Sequence, residues 1–80
     1  RKLVVFCAET ENLIENAEKK LISKNADLIV ANDVTKEGAG FNADTNVVTV
    51  IDRQGLREES GKRSKDEIAD FILDRISRIL

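Results

Sequence analysis

Two short apolar runs, each closed by polar residues and separated by a stretch of helical periodicity, constrain this chain more than any other feature. The first is Leu3-Val4-Val5-Phe6-Cys7, followed by Ala8 and the polar cluster Glu9-Thr10-Glu11-Asn12. The second is Leu28-Ile29-Val30-Ala31, followed by Asn32-Asp33. Continuous apolar runs of this length suit strands buried on both faces, as parallel strands are. Between them, Leu13, Ile14, Ala17 and Leu21 fall on one side of a helical wheel, with Glu15 and Lys19 opposite. Thr10 is the expected N-cap, Glu11 sits near the positive helix end, and the helix is expected to run to about Lys24. Asn25-Ala26-Asp27 then turns the chain. Strand, helix and strand with such short connections predict a βαβ unit whose two polar ends, 8–10 and 32–33, emerge on one rim. That rim, at the carboxyl ends of the strands, is where open α/β sheets bind ligands.

The second half reads differently. Residues 35–45 form a loop with Gly38 and Gly40 as permissive joints, expected to fold over the rim with Phe41 tucking it down. Gly38-Ala39-Gly40-Phe41-Asn42-Ala43 matches a Gly-x-Gly-x-x-Ala pattern but neither follows a strand directly nor opens a helix, so it is not read as a dinucleotide fingerprint. Asp44 in that loop is read as a solvated carboxylate. The β-branched stretch 46–52 predicts a strand, Arg53-Gln54-Gly55 a hairpin turn, and 56–59 an antiparallel edge strand. Ser64 and Glu67 have capping-box spacing, and Ile68, Ala69, Ile72, Ile76 and Ile79, widened by Phe71 and Leu73, predict a closing helix packed on the sheet. The cluster Lys62, Arg63, Lys65 is read as a solvated connection.

Composition narrows the chemistry. The 80 residues include one cysteine and no histidine, which removes disulfide frameworks, Cys/His zinc sites and His-based nucleophilic dyads and triads together. A formal net charge of −2 and only three aromatics, all phenylalanine, give no support to nucleic-acid binding. The apolar runs fall far short of the roughly 18 residues a membrane-spanning helix needs, and no signal-peptide pattern is present, so a cytoplasmic protein is expected. Because the chain enters its first strand at once, its start is expected to be a cut through a longer protein. Cys7 is read as a small buried hydrophobe. Lys20 and Lys24, four residues apart, border the apolar stripe. Their stems can snorkel along the sheet edge, or their ammonium groups can reach an anionic or polyhydroxyl ligand at the rim.

Three motifs, in order and spacing, carry a resemblance to a known family: Phe6-Cys7-Ala8-Glu9-Thr10-Glu11-Asn12, Asp27-Leu28-Ile29-Val30-Ala31-Asn32-Asp33-Val34, and Gly40-Phe41-Asn42-Ala43-Asp44-Thr45-Asn46. The chain resembles, over essentially all of its length, the C-terminal part of bacterial phosphopantothenate–cysteine ligase, which is usually fused behind a flavin-dependent decarboxylase. The resemblance implies an α/β fold, here part of a Rossmann-like sheet: a βαβ unit, an antiparallel hairpin and a C-terminal helix, together making the C-terminal portion, residues 1–80, of one ligase domain. It implies CTP and Mg2+, with FMN confined to the fused decarboxylase. The carboxylate of 4'-phosphopantothenate attacks CTP to give an acyl-cytidylate, and the amine of cysteine then displaces CMP. It implies nucleotide contacts at Phe6, Lys20 and Lys24, with backbone groups at Ala8 against the cytosine, which favours the ligand-reaching reading of the lysines. The family's glycine-rich phosphate loop and its mobile lysine-rich cover have no match in residues 1–80, so no catalytic residue and no metal ligand is expected here, and the chain alone is expected to be inactive.

The family forms homodimers, so a homodimer or higher homo-oligomer is implied, with no nucleic-acid or membrane partner. An alternative of a different class is a non-catalytic dimerisation or interaction module that uses the hairpin at 46–59.

Overall fold

A computed structural model describes residues 1–34 and 45–80 of the chain. β1 (Val4–Glu9), α1 (Leu13–Ser23) and β2 (Leu28–Asp33) form the expected unit, with β1 and β2 parallel and paired from Val4↔Leu28 to Glu9↔Asp33. β3 (Thr45–Asn46), β4 (Val48–Asp52), β5 (Arg57–Glu59), β6 (Arg63–Ser64) and α2 (Lys65–Ile79) follow. The main sheet has the order β1-β2-β4-β5, and β4 runs antiparallel to both of its neighbours. It is thus a mixed sheet in an α/β fold, with one helix on each face.

Strand alternation divides the core. Ile29, Ala31 and Ile51 meet Ala17 and Leu21 of α1, with Val5, Cys7, Leu13 and Ile14 packed around them. Leu28, Val30, Val48 and Val50 meet Ile68 and Phe71 of α2, with Val4, Ile72, Ile76 and Ile79 at the margin. Because both faces of β2 are covered, its sequence has to be apolar without interruption. Each buried aliphatic side chain of this kind contributes roughly 1.5–3 kcal/mol, so the sheet centre is the stable part of the fold.

The turn after α1 is built by local chemistry. Asn25 takes a positive φ of 53°, and its N–H donates to the Ile22 carbonyl while the Ala26 N–H donates to that of Leu21. This Schellman pattern satisfies the carbonyls at the helix end and suits asparagine, which tolerates the left-handed region. Asp27 then accepts the Leu3 N–H at 2.9 Å, tying the start of β1 to the entry of β2. At the hairpin, Asp52 Oδ1 accepts from the Gln54 and Leu56 N–H groups, and Gly55 takes the φ of 90° that the turn requires. Ser64 and Glu67 form the reciprocal capping box that opens α2.

Four expectations are corrected. Thr10 is not the N-cap: β1 continues to Glu9, whose carbonyl accepts the Val34 N–H, and the chain turns through 10–12 before Asn12, at a φ of 50°, caps α1 without a side-chain bond. The strand over 46–52 is interrupted at Val47, because Asn46 Oδ1 captures the Val47 N–H and Asn46 pairs with Arg63 in the separate β3-β6 ribbon. Ala69 and Leu73 point to solvent, the latter 62 % exposed, while Phe71 lies in the core. Arg63 is more than a solvated charge: its Nε donates to the Ser60 carbonyl at 2.7 Å and its guanidinium lies 5.4 Å from the centre of the Phe71 ring. The readings of the Phe41 loop, of Asp44, and of most of the third motif lie outside the described residues.

Candidate functional site

The rim expected from the topology exists. Ala8 pairs with Asn32 and Glu9 with Asp33, so the polar ends of β1 and β2 lie side by side. Alternation sends Cys7 and Glu9 toward α1, and sends Phe6, Ala8 and Asn32 toward the α2 face. The rim thus has two sides of different chemistry.

On the α1 side, Glu9 is only 7 % exposed, which requires its charge to be paired. Lys20 Nζ donates to Oε2 at 2.5 Å and Asn16 Nδ2 to Oε1 at 3.3 Å. Asn16 also donates to the Glu11 carbonyl at 3.0 Å, so a single amide fixes both the carboxylate and the turn. The Lys20 ammonium, with smaller help from the Cys7 thiol and Asn16, holds the Glu9 carboxyl below the ordinary glutamate range. Reciprocally, the Glu9 carboxylate raises the Lys20 ammonium. Burial pushes the Cys7 thiol up, and its hydrogen bond to Glu9 adds to the shift. The thiolate is therefore disfavoured, in keeping with an inert packing role.

On the α2 side, Phe6 is 63 % exposed although its sheet neighbour Val30 is 2 % exposed. The ring borders a cavity of about 380 Å³ lined also by Ala8, Asn32, Asn46, Val48, Ile68 and Ile72. Its walls are mainly apolar, the usual make-up of a small-molecule site. Asn32 Oδ1 is buried and has no hydrogen-bond partner among the described residues. Residue type gave little notice of this position: a polar residue closing an apolar strand is ordinary. The only hint was that 32 continues the alternation of Leu28 and Val30.

The two lysines part company. Lys20 reaches up to the end of β1, whereas Lys24, one helical turn and about 6 Å further along α1, lines a larger cavity of about 540 Å³ at the opposite end of β1 with Arg1, Lys2, Asn25, Asp27 and Arg53. In that region Arg53 Nε lies 3.4 Å from Asp27 Oδ1, and its Nη2 donates to the Asn25 carbonyl. Phe6 and Ala8 thus share one cavity, Lys20 stands on the other side of the same rim, and Lys24 faces elsewhere. Among the described residues no group of three or more His, Cys, Asp or Glu side chains could hold a metal ion, so the Mg2+ implied by the resemblance finds no set of ligands there. No helix among them is long and apolar enough to cross a membrane.

A mixed α/β sheet with a helix on each face, and with a half-apolar, half-charged rim at the carboxyl end of its parallel pair, gives the chain a Rossmann-like α/β fold. The chain belongs to the family described as the DNA/pantothenate metabolism flavoprotein C-terminal domain, which matches it over residues 1–80. It is 48 % identical over 77 residues to the coenzyme A biosynthesis bifunctional protein CoaBC of Bacillus subtilis, covering 96 % of this chain and 19 % of that protein. It is 40 % identical over 74 residues to a cysteine/cysteine sulfinic acid decarboxylase of an unknown prokaryotic organism, covering 92 % and 21 % of the two chains. A crystal structure of the C-terminal domain of a CoaBC protein superimposes with a TM-score of 0.79 at 38 % identity, over 99 % of this chain and 35 % of that one. The chain spans about a fifth of the length of these two curated relatives.

Proposed function

We propose that this chain, within a longer protein, forms one wall of the nucleotide pocket of a coenzyme A biosynthesis ligase that joins 4'-phosphopantothenate to cysteine. The observation that carries the reading is the β1 rim: an exposed aromatic ring on its α2 side and a carboxylate-anchored ammonium on its α1 side flank the carboxyl end of a parallel pair, in a member of a family whose relatives include CoaBC proteins. In the reaction a carboxylate oxygen of 4'-phosphopantothenate attacks the α-phosphorus of CTP and pyrophosphate leaves. The amine nitrogen of cysteine then attacks the acyl carbon, loses a proton, and CMP leaves as the amide forms.

The chain's own residues bind and orient. Phe6 offers a flat apolar face to the cytosine, backbone groups at Ala8 lie beside it, and the Lys20 ammonium, pinned by Glu9, reaches the ribose. Lys24 is assigned to the nucleotide by the resemblance alone. The phosphate chemistry, the magnesium and the covering lysines belong to residues outside this chain, as does any flavin. The same reading includes a homodimer in the cytoplasm, which sedimentation of the longer protein at several concentrations tests.

Assay of the longer protein for amide formation from 4'-phosphopantothenate and cysteine, with and without CTP, tests the proposal. CTP-dependent product supports it, and Lys20→Ala is expected to raise the CTP concentration needed for half-maximal rate. Absence of CTP-dependent product overturns the reading, and unchanged CTP kinetics in Lys20→Ala removes that lysine from the site.

A further inference from the structure

A buried amide oxygen without a partner is costly, because it has given up water and gained nothing in exchange. Among the described residues, Asn32 Oδ1 is such an atom. Its surroundings explain why no partner is at hand: Asn32 sits on the α2 face of β2 between Ala8 of β1 and Val48 of β4, and neither of those side chains can donate. The other amide in the cavity, Asn46, has its Oδ1 engaged by the Val47 N–H, and its Nδ2, the one donor among these neighbours, makes no hydrogen bond to Asn32 Oδ1. The same cavity is bordered by the Phe6 ring and walled by Val48, Ile68 and Ile72. A ring, an apolar floor and one acceptor waiting for a donor match what a flat heterocycle with an N–H edge needs. Proteins read a free base in this way, by stacking on its face and hydrogen bonding to its edge.

We infer that Asn32 is a specificity-determining residue that receives the exocyclic amine of the cytosine in the cavity beside Phe6. This inference rests on the nucleotide reading above and adds which side chain distinguishes the base. As placed, Oδ1 accepts from the amine at position 4 of cytosine and faces a carbonyl oxygen, not a donor, at the same position of uracil. Burial strengthens that choice, since a site built around a hydrogen bond rejects the analogue that cannot make it. The base amine would thus supply the partner that this desolvated oxygen lacks.

The test uses the longer protein, wild type and Asn32→Leu, with CTP and UTP compared as substrates and the nucleotide-free melting temperature measured alongside. The leucine is close in size and removes the unsatisfied oxygen, so the nucleotide-free variant is expected to melt at the wild-type temperature or above it. The same variant is expected to need roughly tenfold more CTP or worse, with kcat little changed, and to lose most of its preference for CTP over UTP. A purely structural asparagine would give the reverse, a lower melting temperature with the base preference intact, and that result overturns the inference. So does a leucine variant that fails to fold, or one whose CTP requirement matches wild type. Wild-type protein that does not use CTP at all defeats the ligase reading and this inference together, whereas a wild type that prefers CTP and a variant that still does defeats this inference alone.

Discussion

Lys20 Nζ lies 2.5 Å from Glu9 Oε2, so an ammonium carried by the first helix is fixed to the last residue of the first strand. The carboxylate side chain is only 8 % exposed while that of the lysine is 44 % exposed, which leaves the cation one face turned to solvent and one held. A lysine of this kind spends little entropy when it meets a ligand, because its stem is already placed.

Glu9→Gln keeps the shape of the side chain and removes the charge that holds Lys20. In the longer protein this variant is expected to raise the KM for CTP several-fold with a smaller effect on kcat. Glu9→Asp, which keeps the charge on a shorter stem, is expected to recover part of the loss. Steady-state kinetics with varied CTP checks both; equal effects of Gln and Asp on KM would mean that charge is not what matters.

Acid should loosen the fold. The Glu9, Asp27, Glu58 and Glu67 carboxyls are all held below their ordinary range, chiefly by Lys20, by the Leu3 N–H, by Arg75 and by the Ser64 backbone respectively. A carboxyl depressed on folding stabilises the native state above its unfolded pKa and loses that contribution as pH falls toward its folded pKa. The melting temperature is therefore expected to be flat near neutrality and to fall as pH drops below about 4. Circular dichroism melts from pH 7 downward check this, and Glu9→Gln is expected to flatten the acid limb.

Ser64→Ala removes the side chain that accepts the Glu67 N–H at 3.2 Å and is expected to cost about 1 kcal/mol of stability. Because that cap lies on α2 and not on the rim, the CTP requirement is expected to stay at the wild-type value. Denaturant melts and CTP kinetics on the same preparation read the two effects separately.

Cys7→Ala is expected to leave ligation intact, since the thiol packs with Val5 against the α1 side of the core and its thiolate is disfavoured. Slow reaction of Cys7 with a thiol reagent, measured by mass, checks the same point. Fast modification accompanied by loss of activity would contradict it.

Much of this fold was legible because hydrophobic pattern and topology agree. The runs at 3–7 and 28–31 read as strands, but only the second is covered on both faces; the first lies at the sheet edge and leaves Phe6 63 % exposed, while the stripe of Leu13, Ile14, Ala17 and Leu21 packs on the sheet as its spacing requires. The ends of elements were less legible, since Glu9 and Asn46 are decided by pairing with Asp33 and Arg63, which are distant in sequence. Phe71 outranked Ala69 and Leu73 in the core because it fills the space under Arg75, whose guanidinium lies 4.0 Å from its ring centre. At the rim, Phe6 and Ala8 were singled out by motif likeness, and the structure places both beside one cavity on the α2 side. Lys20 and Lys24 looked equivalent on a helical wheel, but Lys20 pairs with Glu9 at the rim while Lys24 lines the cavity at the opposite end of β1. Asn32 gave almost no signal, because nothing in one sequence tells a satisfied strand-end amide from an orphaned one.

Hydrogen–deuterium exchange of the longer protein, with and without saturating CTP, tests the central claim most directly, because it locates the nucleotide without a mutation. CTP is expected to slow exchange in peptides covering the end of β1 and the turn after it, residues 6–12, while peptides over β5 and the last turns of α2 stay unchanged. Protection found elsewhere, with residues 6–12 exchanging at the same rate in both states while CTP is demonstrably bound, would contradict the placement of the nucleotide at this rim.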